Sequence, residues 1–206
     1  MRMVEIIKND KWINEYDFFK EFKKSSYYDI LLDTYENLNT DILYKSHIHG
    51  QSHIERVIFF ALVLSWKYGL DKADTDLMRY AASLHDTKRI NDGWDIDHGR
   101  RAANESIDYA NIKEEDKPVL QAIMTAHSSP DINIEEIIYE YDIKDYDRAL
   151  FIAKLFKDSD GLDRVRIDWL DPKYLRNDFS LELVDFAYVL YDKYWIYRVD
   201  INFYIL

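Results

Sequence analysis

The chain contains six histidines and no cysteine, so thiol catalysis, disulfides and cysteine-based zinc sites are excluded. His53, His85, His98 and His127, together with Asp86 and Asp160, are the residues whose types suit a metal site. A neutral imidazole offers a ring-nitrogen lone pair and a carboxylate offers oxygens, a set that accepts Zn, Fe, Co, Ni or Mn. From His53 through His85, His98 and His127 to Asp160 the separations are 32, 13, 29 and 33 residues. Gaps of that size close only when a folded bundle brings distant segments together. Each candidate also stands among core-type neighbours such as Leu84 or Met124. A buried aspartate is costly unless it is paired or metal-bound, and one shared cation would offset that cost for the whole group.

The elements that must position these side chains read as helices. Residues 13 to 38 carry Ile13, Tyr16, Phe19, Phe22, Ile30 and Leu31 and suggest one or two of them. From His53 to Tyr68, Val57, Phe60, Ala61 and Leu64 recur at helical spacing, with Gly69 as a stop. Asp74 is expected to cap a helix running to about His85, whose buried face is Leu77, Ala81 and Leu84. His98 begins a helix expected to reach about Ala110. Pro118 suits the first turn of the next, which presents Leu120, Ile123, Met124 and His127 on one face and ends before Pro130. Asp147 to Asp160 reads as a core helix using Leu150, Ala153 and Phe156. The candidates therefore fall at helix ends: His53 and His98 open helices, while His85–Asp86, His127 and Asp160 close them. The tail from Leu181 reads as a final packed helix, although residues 196–206, IYRVDINFYIL, fit a strand or a partner-binding edge equally well.

At 206 residues and 24.8 kDa, the expectation is a single domain spanning residues 1–206. Acidic residues outnumber basic ones by 39 to 27, for a formal charge of -12, which argues against wrapping long nucleic acid or an anionic membrane. An apolar share of 48% with five glycines and three prolines is globular in character. No apolar run is long enough to cross a membrane, and the first residues lack a signal-peptide pattern. A cytoplasmic protein is the expectation.

Five stretches in order carry a family resemblance: HIHGQSHIERV at 47–57, ASLHDTKR at 82–89, DIDHGRRAA at 95–103, MTAHSS at 124–129 and KDSDGLDRVR at 157–166. Together they resemble the HD-domain metal-dependent phosphohydrolases over residues 45–166. The resemblance implies an all-α, compact HD-domain helical bundle. It implies that His53, His85, Asp86 and Asp160 are the primary metal ligands. His98 and His127 match histidines of members with a second metal, where Asp86 bridges both ions. It further implies one or two divalent ions, with Mn, Fe, Co, Ni, Zn or Mg as candidates, and hydrolysis of a phosphate ester by metal-bound hydroxide. Thr87 and Lys88 stand where many relatives have a small or apolar residue and then glycine, and Asp158-Ser159-Asp160 replaces the frequent Asp-Ala-Asp. Neither change removes a ligand.

Beyond the ligands, Asp86 is expected to position the attacking hydroxide, and Lys88 and Arg89 to contact the substrate phosphate. Arg100 and Arg101 are alternative phosphate contacts, or else partners of Asp92, Asp95 or Asp97. His49, one turn before His53, is a further candidate; His47 reads as a surface residue and Arg56 as a tie between helices through a carboxylate. Asp163 is a candidate partner behind the ligands, or it caps the junction near Gly161 together with Asp158. Phe186, Tyr188, Tyr191, Tyr194 and Trp195 suggest core or partner packing, and with it a homodimer. The expected activity is hydrolysis of a nucleotide or another small phosphorylated metabolite. Alternatives are a phosphodiesterase acting on a cyclic or short oligonucleotide, and a nucleotide-binding sensor or scaffold with little catalysis.

Overall fold

The segment that begins just after His49 is apolar on every side, and a helix of that kind is stable only inside a bundle. A computed structural model describes residues 3–203, with side chains through Tyr194. The chain runs through α1 (Met3–Asn9), α2 (Asp17–Phe22), α3 (Ser26–Glu36), α4 (Gln51–Lys67), α5 (Lys72–Leu84) and α6 (His98–Glu105). It continues through α7 (Lys117–His127), α8 (Ile134–Tyr139), α9 (Tyr146–Leu162), α10 (Asp178–Glu182) and α11 (Val184–Phe203), with short 3₁₀ turns between several of them. There is no strand among the described residues, and the fold is all-α.

α4 is the axis of the bundle: every residue from His53 to Ser65 is buried. α3, α5 and α9 pack around it, and α7 packs against α5, α6 and α9. The polar side chains that α4 buries are all partnered. Glu55 accepts from the Met3 backbone at 2.7 Å, from Gln51 at 2.9 Å and from the Tyr194 hydroxyl at 3.2 Å. Arg56 lies against the rings of Tyr191 and Tyr194, 5.2 and 5.1 Å from their centroids. α1 and α11 are thus fastened to the central helix by its two buried charged residues, Glu55 and Arg56. Phe186 of α11 stacks on Phe59 and meets Trp12, Tyr16, Phe18 and Phe60 edge-on or tilted, so Phe186 and Tyr194 serve the core while Tyr188 is exposed.

Several expected boundaries shift. Residues 12–36 divide into a 3₁₀ turn, α2 and α3. α5 is capped by Asp71, whose carboxylate accepts from the Asp74 backbone at 2.9 Å. Asp74 sits inside the first turn and pairs with Arg148. The helix from His98 stops at Glu105, because the buried Ser106 hydroxyl pairs with Thr87 at 2.9 Å and the chain turns through 3₁₀ geometry to Tyr109. α4 ends as expected at Gly69, in the left-handed region at φ 62°, with Leu70 N–H reaching back to the Ser65 carbonyl. The tail is helical through Phe203, so a strand does not form over residues 196–203. Residues 204–206, the Trp195 side chain and the partner-binding edge lie outside the described residues. No helix among those described is long and apolar enough to cross a membrane.

Candidate metal centre

Five helix ends meet beside α4. His53 lies in the first turn of α4, His85 caps the C-terminus of α5 with Asp86 next to it, His98 opens α6, His127 closes α7 and Asp160 lies in the last turn of α9. Each imidazole turns its Nδ1 toward an acceptor. His53 Nδ1 donates to the Asp163 carboxylate at 2.7 Å, His85 Nδ1 to the Ala82 carbonyl at 3.1 Å and His127 Nδ1 to the Met124 carbonyl at 2.5 Å. His98 Nδ1 donates to the Asp95 carbonyl. These acceptors have no hydrogen of their own to give, so a ring in its neutral form would carry its hydrogen on Nδ1 and present a lone pair on Nε2.

The four Nε2 atoms converge. Those of His53 and His85 are 3.1 Å apart, and those of His98 and His127 are 2.8 Å apart. Asp86 lies between the pairs. Its Oδ2 is 3.4 Å from His53 Nε2 and 3.8 Å from His85 Nε2. Its Oδ1 is 2.9 Å from His98 Nε2 and 3.8 Å from His127 Nε2. Asp160 Oδ1 closes the first group at 3.4 Å from His53 and 3.9 Å from His85. Burial pushes His85 down to about 3 and lowers His127, which keeps both rings neutral. Burial alone would raise both carboxyls, but neighbouring positive charge lowers both: that of a protonated His85 foremost for Asp86, and that of a protonated His53 and then Arg166 for Asp160. Imidazole nitrogens and carboxylate oxygens gathered this closely could hold a metal ion. His53, His85 and Asp160 place ligand atoms within 4.8 Å of one another, as do His85, Asp86 and His127.

The surrounding structure holds this geometry. Asp163 is fully buried, orients His53 and accepts from Arg56 Nε at 2.5 Å and Nη2 at 3.0 Å. Lys157, one turn before Asp160, donates to the carbonyls of Ala126, His127 and Ser129 at 2.9, 3.3 and 2.6 Å, tying the end of α7 to α9. Asp158 points away from the centre and accepts from the backbone of Arg176 and Asn177. Gly99 lets α6 approach α7: a Cβ there would lie 2.3 Å from the Met124 carbonyl oxygen and 2.8 Å from His127 Cε1. Gly99→Ala is therefore expected to cost about 1–3 kcal/mol through overpacking, read from urea unfolding midpoints; a change within error would mean that α6 is free to slide.

Asp86, His98, His127 and Asp160 line a cavity of about 460 Å³, whereas His53 and His85 are buried and do not line it. Arg89 lines it, with Nη1 3.4 Å from Asp86 Oδ1 and against the His98 ring, while Nη2 donates to the Gly93 carbonyl at 2.9 Å. Lys88 does not line it. Its Nζ is half-exposed and pairs with Glu105 at 3.3 Å, because the tight turn after Leu84 sends consecutive side chains opposite ways. Arg100 pairs with Glu140 at 2.7 Å and Arg101 with Asp95 at 2.5 Å; neither arginine lines the cavity, although Asp95 does. His49 does line it, its Nδ1 3.0 Å from Asp86 Oδ2 and 3.2 Å from Arg166 Nη2. His47 is exposed. Sequence reasoning passed over Arg164, Arg166, Trp94 and Trp169, which also line the cavity. The legible signal for Trp94 was a large aromatic set in the polar run NDGWDID, where no periodicity offers it a core position.

The described residues thus define an all-helical protein with a buried histidine–carboxylate centre that could hold a metal ion. Comparison with protein-family profiles, with curated proteins and with solved structures finds no match to this chain.

Proposed function

We propose that this protein is a metal-dependent phosphohydrolase of the HD-domain type, acting on a nucleotide or another small phosphorylated metabolite. The observation that carries the reading is the convergence of four Nε2 atoms, from rings that turn Nδ1 toward acceptors, on Asp86 and Asp160 beside an open cavity. The ordered resemblance over residues 45–166 supports the same class. Divalent ions held here would acidify a water and polarise a phosphoryl oxygen. His53, His85, Asp160 and Asp86 Oδ2 would hold one ion, and His98, His127 and Asp86 Oδ1 a second. Asp86 fixes the spacing of the two groups because each of its oxygens faces a different one. Arg89 and Arg166 stand beside these groups with guanidinium nitrogens already oriented by Gly93 and Asp163, placed to take phosphate oxygens.

The division of Asp86 between two ligand groups also favours a second reading, cleavage of a phosphodiester in a cyclic or short oligonucleotide. Elemental analysis of gently purified protein, paired with His127→Ala, tests the centre. Two ions per chain are expected, falling toward one in the variant. Turnover is then assayed on nucleotides, sugar phosphates and cyclic dinucleotides. Bound metal without turnover on any of them would favour a nucleotide-binding sensor, and a chain that retains no metal would overturn the proposal.

A further inference from the structure

We propose that Trp94 and Trp169 form a base-stacking mouth to this cavity and select a mononucleotide as the ligand; the chemistry at the centre rests on the phosphohydrolase reading above. Both indoles line the cavity that contains Asp86 and Asp160, yet they are 84% and 66% exposed. Trp12 and Trp66, by contrast, pack against the core. Large aromatic surface left open at a concave site is the form a stacking platform takes.

The backbone directs Trp169 to this place. Asp168, directly before it, has φ 56° and is the sole non-glycine residue with positive φ among the described residues. That left-handed conformation is unfavourable for most side chains and persists where the surrounding structure imposes it. It ends the 3₁₀ turn after Asp163 and returns Trp169 N–H to the Arg164 carbonyl at 3.2 Å. The Arg164 guanidinium lies 5.9 Å from the Trp169 ring centroid, pairing a cation with the aromatic face.

The cavity has two kinds of lining: the exposed indoles with Ile48 and Ile96, and the buried side chains of Arg89 and Arg166 beside the imidazole–carboxylate group. A nucleotide has the same two parts, a planar base and an anionic phosphate. About 460 Å³ lies in the lower half of the range of roughly 300–1,000 Å³ for small-molecule sites, which suits one nucleotide better than an oligomer. Asp92 at the rim and the net charge of -12 disfavour a long polyanion. Indole stacking accepts any base, so discrimination should fall between phosphates with and without a base.

Calorimetric titration with AMP, ribose 5-phosphate and adenosine tests this. AMP is expected to bind at least about tenfold more tightly than ribose 5-phosphate, and adenosine to bind measurably by itself. Trp94→Ala and Trp169→Ala should each weaken AMP and adenosine about tenfold without changing ribose 5-phosphate, and Trp169→Phe should restore most of the loss. Both sites are exposed, so melting temperatures should match the parent. Equal affinity for AMP and ribose 5-phosphate, or indole variants that weaken both alike, would overturn the mouth. Cosedimentation with phosphatidylcholine vesicles that the alanine variants lose, with AMP binding unchanged, would instead make the indoles a lipid contact. The two readings fail separately: adenosine binding in a chain without metal keeps the mouth and removes the hydrolase, whereas hydrolysis indifferent to the base does the reverse.

Discussion

Asp86→Asn is expected to abolish turnover while leaving the fold intact. The side chain is buried, and its two oxygens face different histidine pairs. An amide keeps the shape but loses the charge and one of the two acceptor oxygens, so one ligand group loses its oxygen and the other keeps only a neutral one. Metal activation of water and of a phosphoryl oxygen supplies several kcal/mol, or about three orders of magnitude in rate. The apo fold should tolerate the change, because the new NH₂ can donate to the His98 Nε2 lone pair 2.9 Å from the present Oδ1. Adding Mn²⁺ should raise the melting temperature of the parent by mass action, about 4 kcal/mol at a thousandfold excess over Kd, and should leave the variant unmoved. Melting curves with and without Mn²⁺ decide it; a variant that keeps both the shift and the activity would remove Asp86 from the centre.

The largest stability effect is expected at Asp163. Removing it as Asp163→Ala leaves Arg56 buried among Tyr191, Tyr194 and the core of α4 without its carboxylate partner. Breaking a buried pair from one side costs about 3–5 kcal/mol. The double variant Arg56→Met/Asp163→Ala should recover much of that, since it removes both charges. Urea unfolding of the two variants checks the pair, and a loss under about 1 kcal/mol in the single variant would show the pair to be idle. The pH dependence follows the same contact. Burial would raise the Asp163 carboxyl, but Arg56 and the His53 hydrogen bond outweigh it and hold it below its ordinary value. A carboxyl depressed in the folded state contributes stability above its unfolded pKa, near 4. That contribution is lost as the pH falls through the lower folded value.

The helices and the members of the histidine–carboxylate cluster were largely legible before the structure, because both depend on periodic or sparse residue types. α4, α7 and α9 announce themselves through apolar spacing and through Gly69 and Pro118. The six ligand candidates were legible because few residue types bind metals and each stood at a helix end. Local competition was not legible. Asp71 and Asp74 both suit an N-cap, and Arg148, far along the chain, draws Asp74 into an ion pair. Ser106 ends α6 through a contact with Thr87 that spacing does not disclose. Lys88 and Arg89 are adjacent and alike in charge, yet the turn after α5 gives only Arg89 to the cavity. Arg166 and the two rim tryptophans depend on the path of the chain after Asp163, where no pattern repeats.

The placement of ligands at five helix ends has a consequence for the order in which the protein is made. A chain emerging from its N-terminus presents His53 first and cannot present Asp160, or the Asp163 that orients His53, until more than a hundred further residues have appeared. An ion that needs Asp160 would therefore find its full set of contacts only once α9 has formed. Before then α3 and α5 pack on α4 and bring His49, His53 and Asp86 together. Such an ion would complete a scaffold whose first helices had already met.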